Sequence, residues 1–194
     1  MIDFILPAHN EESTVGAVVL AVRQARATGL VLVVADDCDD RTVPAASQAG
    51  AAVIEITERD KGTAMAIGLA YVQTSRVGFI DTDLIGLRPE HIDALASEPP
   101  NAMAVGVRDS TLRLPLFPPI GGERVLPTTV AAGAGLMGSS YMAEMRLATA
   151  AKRYGVPTIG VRLPGLGHLS RARAMHLKRW PEVAAGWLDY LIVS

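Results

Sequence analysis

Short apolar runs alternate with longer stretches of helical spacing through the first half of the chain. Ile2–Leu6 and Leu30–Ala35 are such runs, the second rich in β-branched residues, and the segment from about Glu12 to Thr28 between them has the periodicity of a helix. Together they predict a β-α-β unit. The pattern continues with a helix at Thr42–Gln48, a strand at Ala52–Ile56, a helix near Ala64–Gln73 and a strand at Val77–Ile80. Pro89 stands where a first-turn proline belongs and opens a helix over Glu90–Ser97, and Ala102–Val107 offers another strand. Parallel crossovers put helices over both sides of a sheet, so this order predicts an α/β fold: a Rossmann-like, mostly parallel sheet with helices on both faces.

The regularity fades after residue 107. Residues 109–127 carry the adjacent Pro118 and Pro119 beside apolar Leu116 and Phe117, and read as a long functional loop. Helical spacing returns near Tyr141–Tyr154, a strand is predicted at Thr158–Arg162, and Pro181–Ile192 reads as an amphipathic closing helix. With 194 residues, 49% hydrophobic and 20% charged, the chain has material for one full core and is expected to be a single domain over 1–194.

Composition removes several classes of function. A net charge of −2 argues against bulk nucleic-acid binding. A single cysteine, Cys38, and four histidines exclude a cysteine-rich zinc site. No apolar run approaches the ~18–20 residues a membrane span needs, and Ile2–Leu6 begins without a basic region or cleavage site, so a cytoplasmic protein without a membrane span is expected.

Ligands of open α/β sheets bind beyond the carboxyl ends of the strands, and polar residues gather at four predicted ends. The first strand runs into Pro7-Ala8-His9-Asn10-Glu11-Glu12, the second into Asp36-Asp37-Cys38-Asp39-Asp40-Arg41-Thr42, the third into Asp60-Lys61-Gly62-Thr63 and the fourth into Asp81-Thr82-Asp83. Side chains alternate along extended backbone, so Asp81 and Asp83 share one side and suit a hard divalent cation such as Mg²⁺ or Mn²⁺ that also binds a diphosphate. A solvated turn is the plainer reading of such a triplet taken alone. Lys61 beside Gly62 is placed to meet phosphate, although the surrounding residues do not form a P-loop. Gly133, Gly135 and Gly138 spell G-x-G-x-x-G late in the chain, after no convincing strand, and read as a flexible small-residue segment. His168, with Arg171 and Arg173 close behind, is a candidate ligand for the same cation.

These residues in this order resemble the family 2 glycosyltransferases and the related glucosyl-3-phosphoglycerate synthases. The likeness implies a GT-A (nucleotide-diphospho-sugar transferase) fold. Leu6-Pro7-Ala8-His9-Asn10-Glu11-Glu12 is similar to the family's P-A-x-N-E-E, which implies uridine contacts from Pro7, Ala8, Asn10 and Glu11. Ala35–Thr42 is similar to A-D-N-C-x-D-x-T, which places Asp36 at the uracil, and Asp60-Lys61-Gly62 is similar to G-K-G, which carries the diphosphate lysine to Lys61. Asp81-Thr82-Asp83 matches the metal and ribose D-x-D. Gly121-Gly122-Glu123-Arg124-Val125 looks like the synthases' acceptor loop G-G-G-R-V, Tyr141-Met142-Ala143-Glu144 looks like their Y-G-V-E, and His168 falls on their metal-binding histidine. Glu123 in place of a glycine and Leu126 in place of a threonine depart from the residues that hold phosphoglycerate. The resemblance thus divides the chain into a nucleotide-sugar half, 1–107, and an acceptor half, 108–194.

The implied reaction is metal-dependent transfer of a sugar from a nucleoside diphosphate sugar, a UDP-sugar, to a small-molecule or lipid-linked acceptor. Asp83 and His168 would ligate the cation, Asp81 would orient ribose and metal, and Lys61 with Arg171 would offset phosphate charge. An inverting reaction needs a carboxylate base, from Glu144, Glu123 or Asp109, with Arg124 beside them in the acceptor loop; a retaining one does not. A homodimer would complete a small acceptor pocket. Two other readings stand beside this one: a nucleotidyltransferase acting on a sugar phosphate, and a sugar-nucleotide-binding protein without catalysis.

Overall fold

The computed structural model describes residues 1–108, 121–169 and 189–192. Its framework is a seven-stranded sheet with the order β3-β2-β1-β4-β7-β6-β8. The strands are β1 (Ile2–Ala8), β2 (Thr28–Asp36), β3 (Ala52–Ile56), β4 (Arg76–Phe79), β6 (Met103–Val107), β7 (Arg124–Pro127) and β8 (Thr158–Arg162). β1 pairs in parallel with β2 and β4, β2 with β3, and β6 with β8, whereas β7 runs antiparallel to both β4 and β6. A separate ribbon pairs β5 (Leu84–Ile85) with β9 (Gly167–His168).

Alternation along β1 supplies both sides of the core. Phe4 and Leu6 join one apolar cluster with Val15, Val18, Val19 and Val22 of helix α1 (Val15–Gln24), Ala46 of α2 (Thr42–Gln48), and Ile92 and Leu95 of α4 (Pro89–Ser97). Ile5 joins the other, with Ala64 and Met65 of α3 (Lys61–Leu69), Val130 of α5 (Thr128–Ala132) and Leu147 of α6 (Ala143–Arg153). Helices therefore cover both faces. Phe4 and Leu6 are 0% exposed, and burying a side chain of this kind contributes roughly 1.5–3 kcal/mol.

Helix starts are set by local chemistry. Asp60 caps α3 by accepting a hydrogen bond from the Thr63 amide at 2.7 Å, and Pro89 occupies the first turn of α4. α1 begins at Val15, three residues later than its periodicity predicts, because Glu12 is tied to a neighbouring loop. Its amide donates to Asp40 Oδ2 and its own Oε2 accepts from the Arg41 amide.

The second half differs from expectation in two places. The long loop predicted over 109–127 ends in β7, which lies inside the sheet, with Val125 and Leu126 0% exposed. A four-residue strand between a Gly-Gly pair and a proline is too short to leave a periodic signal. The G-x-G-x-x-G segment is a packed turn: the Gly138 amide donates to Thr63 Oγ1 at 3.0 Å, and a Cβ on Gly62 would run into Leu136 O and Ser139 Oγ. Residues 109–120 lie outside the described residues, as does most of the predicted closing helix. Residues 189–192 are helical, and Lys152 Nζ of α6 donates to the Tyr190 carbonyl at 3.0 Å and lies 5.0 Å from that ring's centre.

Candidate donor and metal site

The carboxyl ends of β1, β2 and β4 are laced together before any functional group is considered. The Glu11 amide donates to Thr42 Oγ1 at 2.7 Å, Asn10 Oδ1 accepts from the Asp39 amide at 2.9 Å, and His9 Nδ1 lies 2.7 Å from the Asp36 carbonyl. Thr82 Oγ1 donates to the Pro7 carbonyl at 2.9 Å, which pins the centre of the Asp81-Thr82-Asp83 triplet to β1. Asn10 takes up positive φ, 56°, in the left-handed region that asparagine tolerates better than most residues.

Asp36, expected to face a uracil, is 4% exposed and turned inward. Its Oδ1 accepts from the amides of Glu58 and Arg59, each at 2.8 Å, and its Oδ2 from the amide of Asp60 at 2.7 Å. Three amides on one carboxylate fix the loop that leads into Lys61. Asp60 then occupies the N-terminus of α3 with its own carboxylate, so the end of this helix is already capped by an anion from the chain.

Lys61 sits between two acids. Its Nζ lies 2.6 Å from Asp81 Oδ1 and 2.6 Å from Glu144 Oε1. Burial alone would lower the ammonium, but the two carboxylates hold it well above its usual range. Burial alone would likewise raise Asp81, yet Lys61, with Arg108 and Arg124 behind it, keeps that carboxyl below its usual value.

Asp81, Asp83 and His168 bring one ligand atom each to within 4.8 Å of one another, all half-buried. The β5–β9 ribbon makes this meeting: it pairs Leu84 with His168, and the Leu169 amide donates to the Asp83 carbonyl at 2.8 Å. His168 Nδ1 is thereby 2.9 Å from Asp83 Oδ1. Burial, and then the charge of Asp81, hold the Asp83 carboxyl above the usual range, with Lys61 pulling it back. Two carboxylate oxygens and an imidazole nitrogen are a donor set that suits Mn²⁺ or Mg²⁺, and a cation there would relieve the repulsion between the aspartates. The backbone leaves room for them: a Cβ on Gly122 would collide with the Asp81 carboxylate.

The remaining candidates fall into different positions. Thr82 is 3% exposed and its hydroxyl is spent on Pro7, so it holds the triplet in place rather than facing a ligand. Arg124, expected on the catalytic side, is 1% exposed and sealed in the interior, where it donates to the carbonyls of Gly121 and Glu144. It positions the start of α6 and with it Glu144. Arg171 and Asp109 lie outside the described residues. Sequence reasoning passed over Arg108, whose charge acts on both Asp81 and Asp83. It directly follows β6, and the strand-end rule extended to that strand would have found it.

The mostly parallel sheet, with helices on both faces and polar residues gathered beyond its strand ends, matches the GT-A fold of solved structures. Residues 3–112 match the family described as Glycosyl transferase family 2, more than half of the 194 residues, and the chain belongs to that family. Solved structures of glucosyl-3-phosphoglycerate synthase from Mycobacterium tuberculosis share the fold. One in complex with phosphoglyceric acid superposes with a TM-score of 0.83 at 21% identity, over 98% of this chain and 79% of that one. Another, in complex with Mn²⁺ and uridine-diphosphate-glucose, gives 0.79 at 21% identity, over 98% and 78%. Among curated relatives, 4,4'-diaponeurosporenoate glycosyltransferase of Staphylococcus aureus (strain MRSA252) is 29% identical over 100 residues, 48% of this chain. Those residues span 27% of the relative's length. No helix among the described residues is long and apolar enough to cross a membrane.

Proposed function

We propose that this chain transfers a sugar from a UDP-sugar to a hydroxyl-bearing acceptor and that the transfer depends on Mg²⁺ or Mn²⁺. The observation that carries the reading is the meeting of Asp81, Asp83 and His168 on the rim where Lys61 also ends. The structural neighbours with UDP-glucose and Mn²⁺ lend support to the donor and the ion, and the family membership to the reaction class.

In this reading Asp83 and His168 hold the cation, which when bound neutralises the charge that develops on the leaving diphosphate. Asp81 orients the ribose and is itself oriented by Lys61. The ammonium of Lys61 adds positive charge on the diphosphate side; Arg171, expected to offset phosphate charge with it, lies outside the described residues. The loops ending at Pro7, Ala8, Asn10 and Glu11 and the Asp36-anchored loop form the uridine side, so residues 1–107 serve the donor and 108–194 the acceptor. Glu144 shares Lys61 with Asp81 and, in an inverting transfer, is the group that takes the acceptor proton. The relatives are named for phosphoglycerate and for diaponeurosporenoate, so no one acceptor is common to their names; a small-molecule or lipid-linked acceptor and a homodimer belong to the same proposal.

Turnover of UDP-sugars assayed with and without Mn²⁺ tests this reading, with UDP release scored across an acceptor panel. Asp83→Ala should abolish the Mn²⁺-dependent part. Unchanged Mn²⁺-dependent turnover in that variant rejects the metal role, and pyrophosphate in place of UDP as the product would mark a nucleotidyltransferase.

A further inference from the structure

Glu123 breaks a rule that the buried carboxylates Asp3 and Asp36 keep. Buried Asp3 accepts hydrogen bonds from the amides of Leu30 and Gln73, both at 2.9 Å, and buried Asp36 accepts three. Glu123 is 0% exposed, yet neither of its carboxylate oxygens accepts a hydrogen bond from another of the described residues. A buried carboxylate left in this state is costly and calls for a reason.

Its surroundings are shaped to hold it. A Cβ on Gly106 would meet Leu163 Cδ1 at 2.6 Å, Glu123 Cβ at 3.0 Å and Glu123 Oε2 at 3.2 Å, so this glycine helps make the niche, whereas one on Gly121 would meet the Gly106 carbonyl first. Lys61 and Arg124 act on the Glu123 carboxylate too, but the ion pair among the described residues is with Arg108, whose Nη2 lies 3.9 Å from Oε2, too far for a hydrogen bond but close enough for a strong charge interaction in a buried setting. Arg108 also acts on Asp81 and Asp83. One guanidinium therefore acts on Glu123, on the proposed cation ligand Asp83 and on its neighbour Asp81.

A positive charge near metal-binding carboxylates competes with the metal. We propose that Glu123 is a positioning residue of the cation site: its carboxylate engages the Arg108 guanidinium, keeps that charge from neutralising Asp81 and Asp83, and adds its own negative charge behind them. The inference rests on the metal-dependent reading above and gives it a device that acts from outside the ligand set. It also gives a reason for the glycine at 106, which helps admit a group whose burial opposes folding. The field of the site reaches Glu123 in return, since burial first and then Asp81 push its carboxyl up to about 7, while Arg108 and Lys61 draw it down.

The test uses Mn²⁺ alone, titrated into the protein with free ion followed by electron paramagnetic resonance, and melting temperature as a second readout. At pH 8, Glu123→Gln should weaken Mn²⁺ binding at least about tenfold, since one charge near a divalent ion is removed and Arg108 is released toward the aspartates. Its melting temperature should stay level or rise, because an unsatisfied buried charge is gone. Arg108→Gln added to Glu123→Gln should bring the Mn²⁺ affinity back toward wild type, and Glu123→Asp should fall between wild type and Glu123→Gln. Mn²⁺ affinity in Glu123→Gln within twofold of wild type overturns the inference, as does a double variant no better than the single one. Loss of cooperative melting in Glu123→Gln assigns a merely structural role and overturns it as well. Wild-type protein that binds Mn²⁺ no better than Asp83→Ala defeats the metal-dependent reading itself, and this inference with it.

Discussion

Replacing Glu123 by glutamine should change how the fold's stability depends on pH, and the structure sets both sign and size. The carboxyl is 0% exposed, and burial followed by the charge of Asp81 moves it from its ordinary 4.5 to about 7. Arg108, Lys61 and Arg124 are the cations that act in its field. Between those two values the folded protein binds a proton that the unfolded chain has released, so stability falls as pH rises through this window and levels off above about 7. The interval is worth roughly 3 kcal/mol. Urea unfolding of wild type and Glu123→Gln at pH 5, 6, 7 and 8 measures it. Groups that do not interact with Glu123 titrate alike in both proteins and cancel in the difference, which should grow in favour of the variant up to pH 7 and then level off. Parallel stability curves across the range would refute the argument, because they would mean that Glu123 is not held in the low-dielectric setting described.

Three further substitutions probe the rim. Lys61→Met removes the charge shared by Asp81 and Glu144, leaves two half-buried carboxylates facing each other, and should cost roughly 3–5 kcal/mol in urea unfolding at pH 7. Asp36→Ala strips the partner from three amides of residues 58–60 and should cost roughly 3 kcal/mol; it should also weaken UDP binding, measured by calorimetry, because the loop that carries Lys61 is released. Gly122→Ala should leave the far-ultraviolet circular dichroism near wild type while lowering Mn²⁺ affinity, since the new methyl displaces the Asp81 carboxylate; Mn²⁺ binding unchanged in Gly122→Ala would count against the placement of Asp81.

Apolar runs buried on both faces made β1 and β2 legible. Thr42–Gln48, Ala52–Ile56 and Thr158–Arg162 fall where the periodicity places them, and β1 and β2 were short only at their ends. What stayed hidden was whatever depends on distant partners. β7 has four residues and is held by β4 and β6, and β5 and β9 have two each and exist only because they pair across more than eighty positions. The site follows the same division. Polar residues at strand ends are visible as residue types, but the direction of each side chain is not. Asp36 turns to its own loop, Thr82 to Pro7 and Arg124 to two carbonyls, and each of these outcomes is set by backbone that arrives from elsewhere in the chain. The Lys61 bridge between Asp81 and Glu144 joins residues that no local pattern connects.

A crystal of the protein grown with UDP and Mn²⁺ puts the central claim to the most direct trial. The account predicts one Mn²⁺ coordinated by Asp83 and His168 and by the diphosphate, with Lys61 on the phosphate side and the base among the loops after β1 and β2. Nucleotide bound with no ion between these residues, or bound away from them altogether, would contradict it.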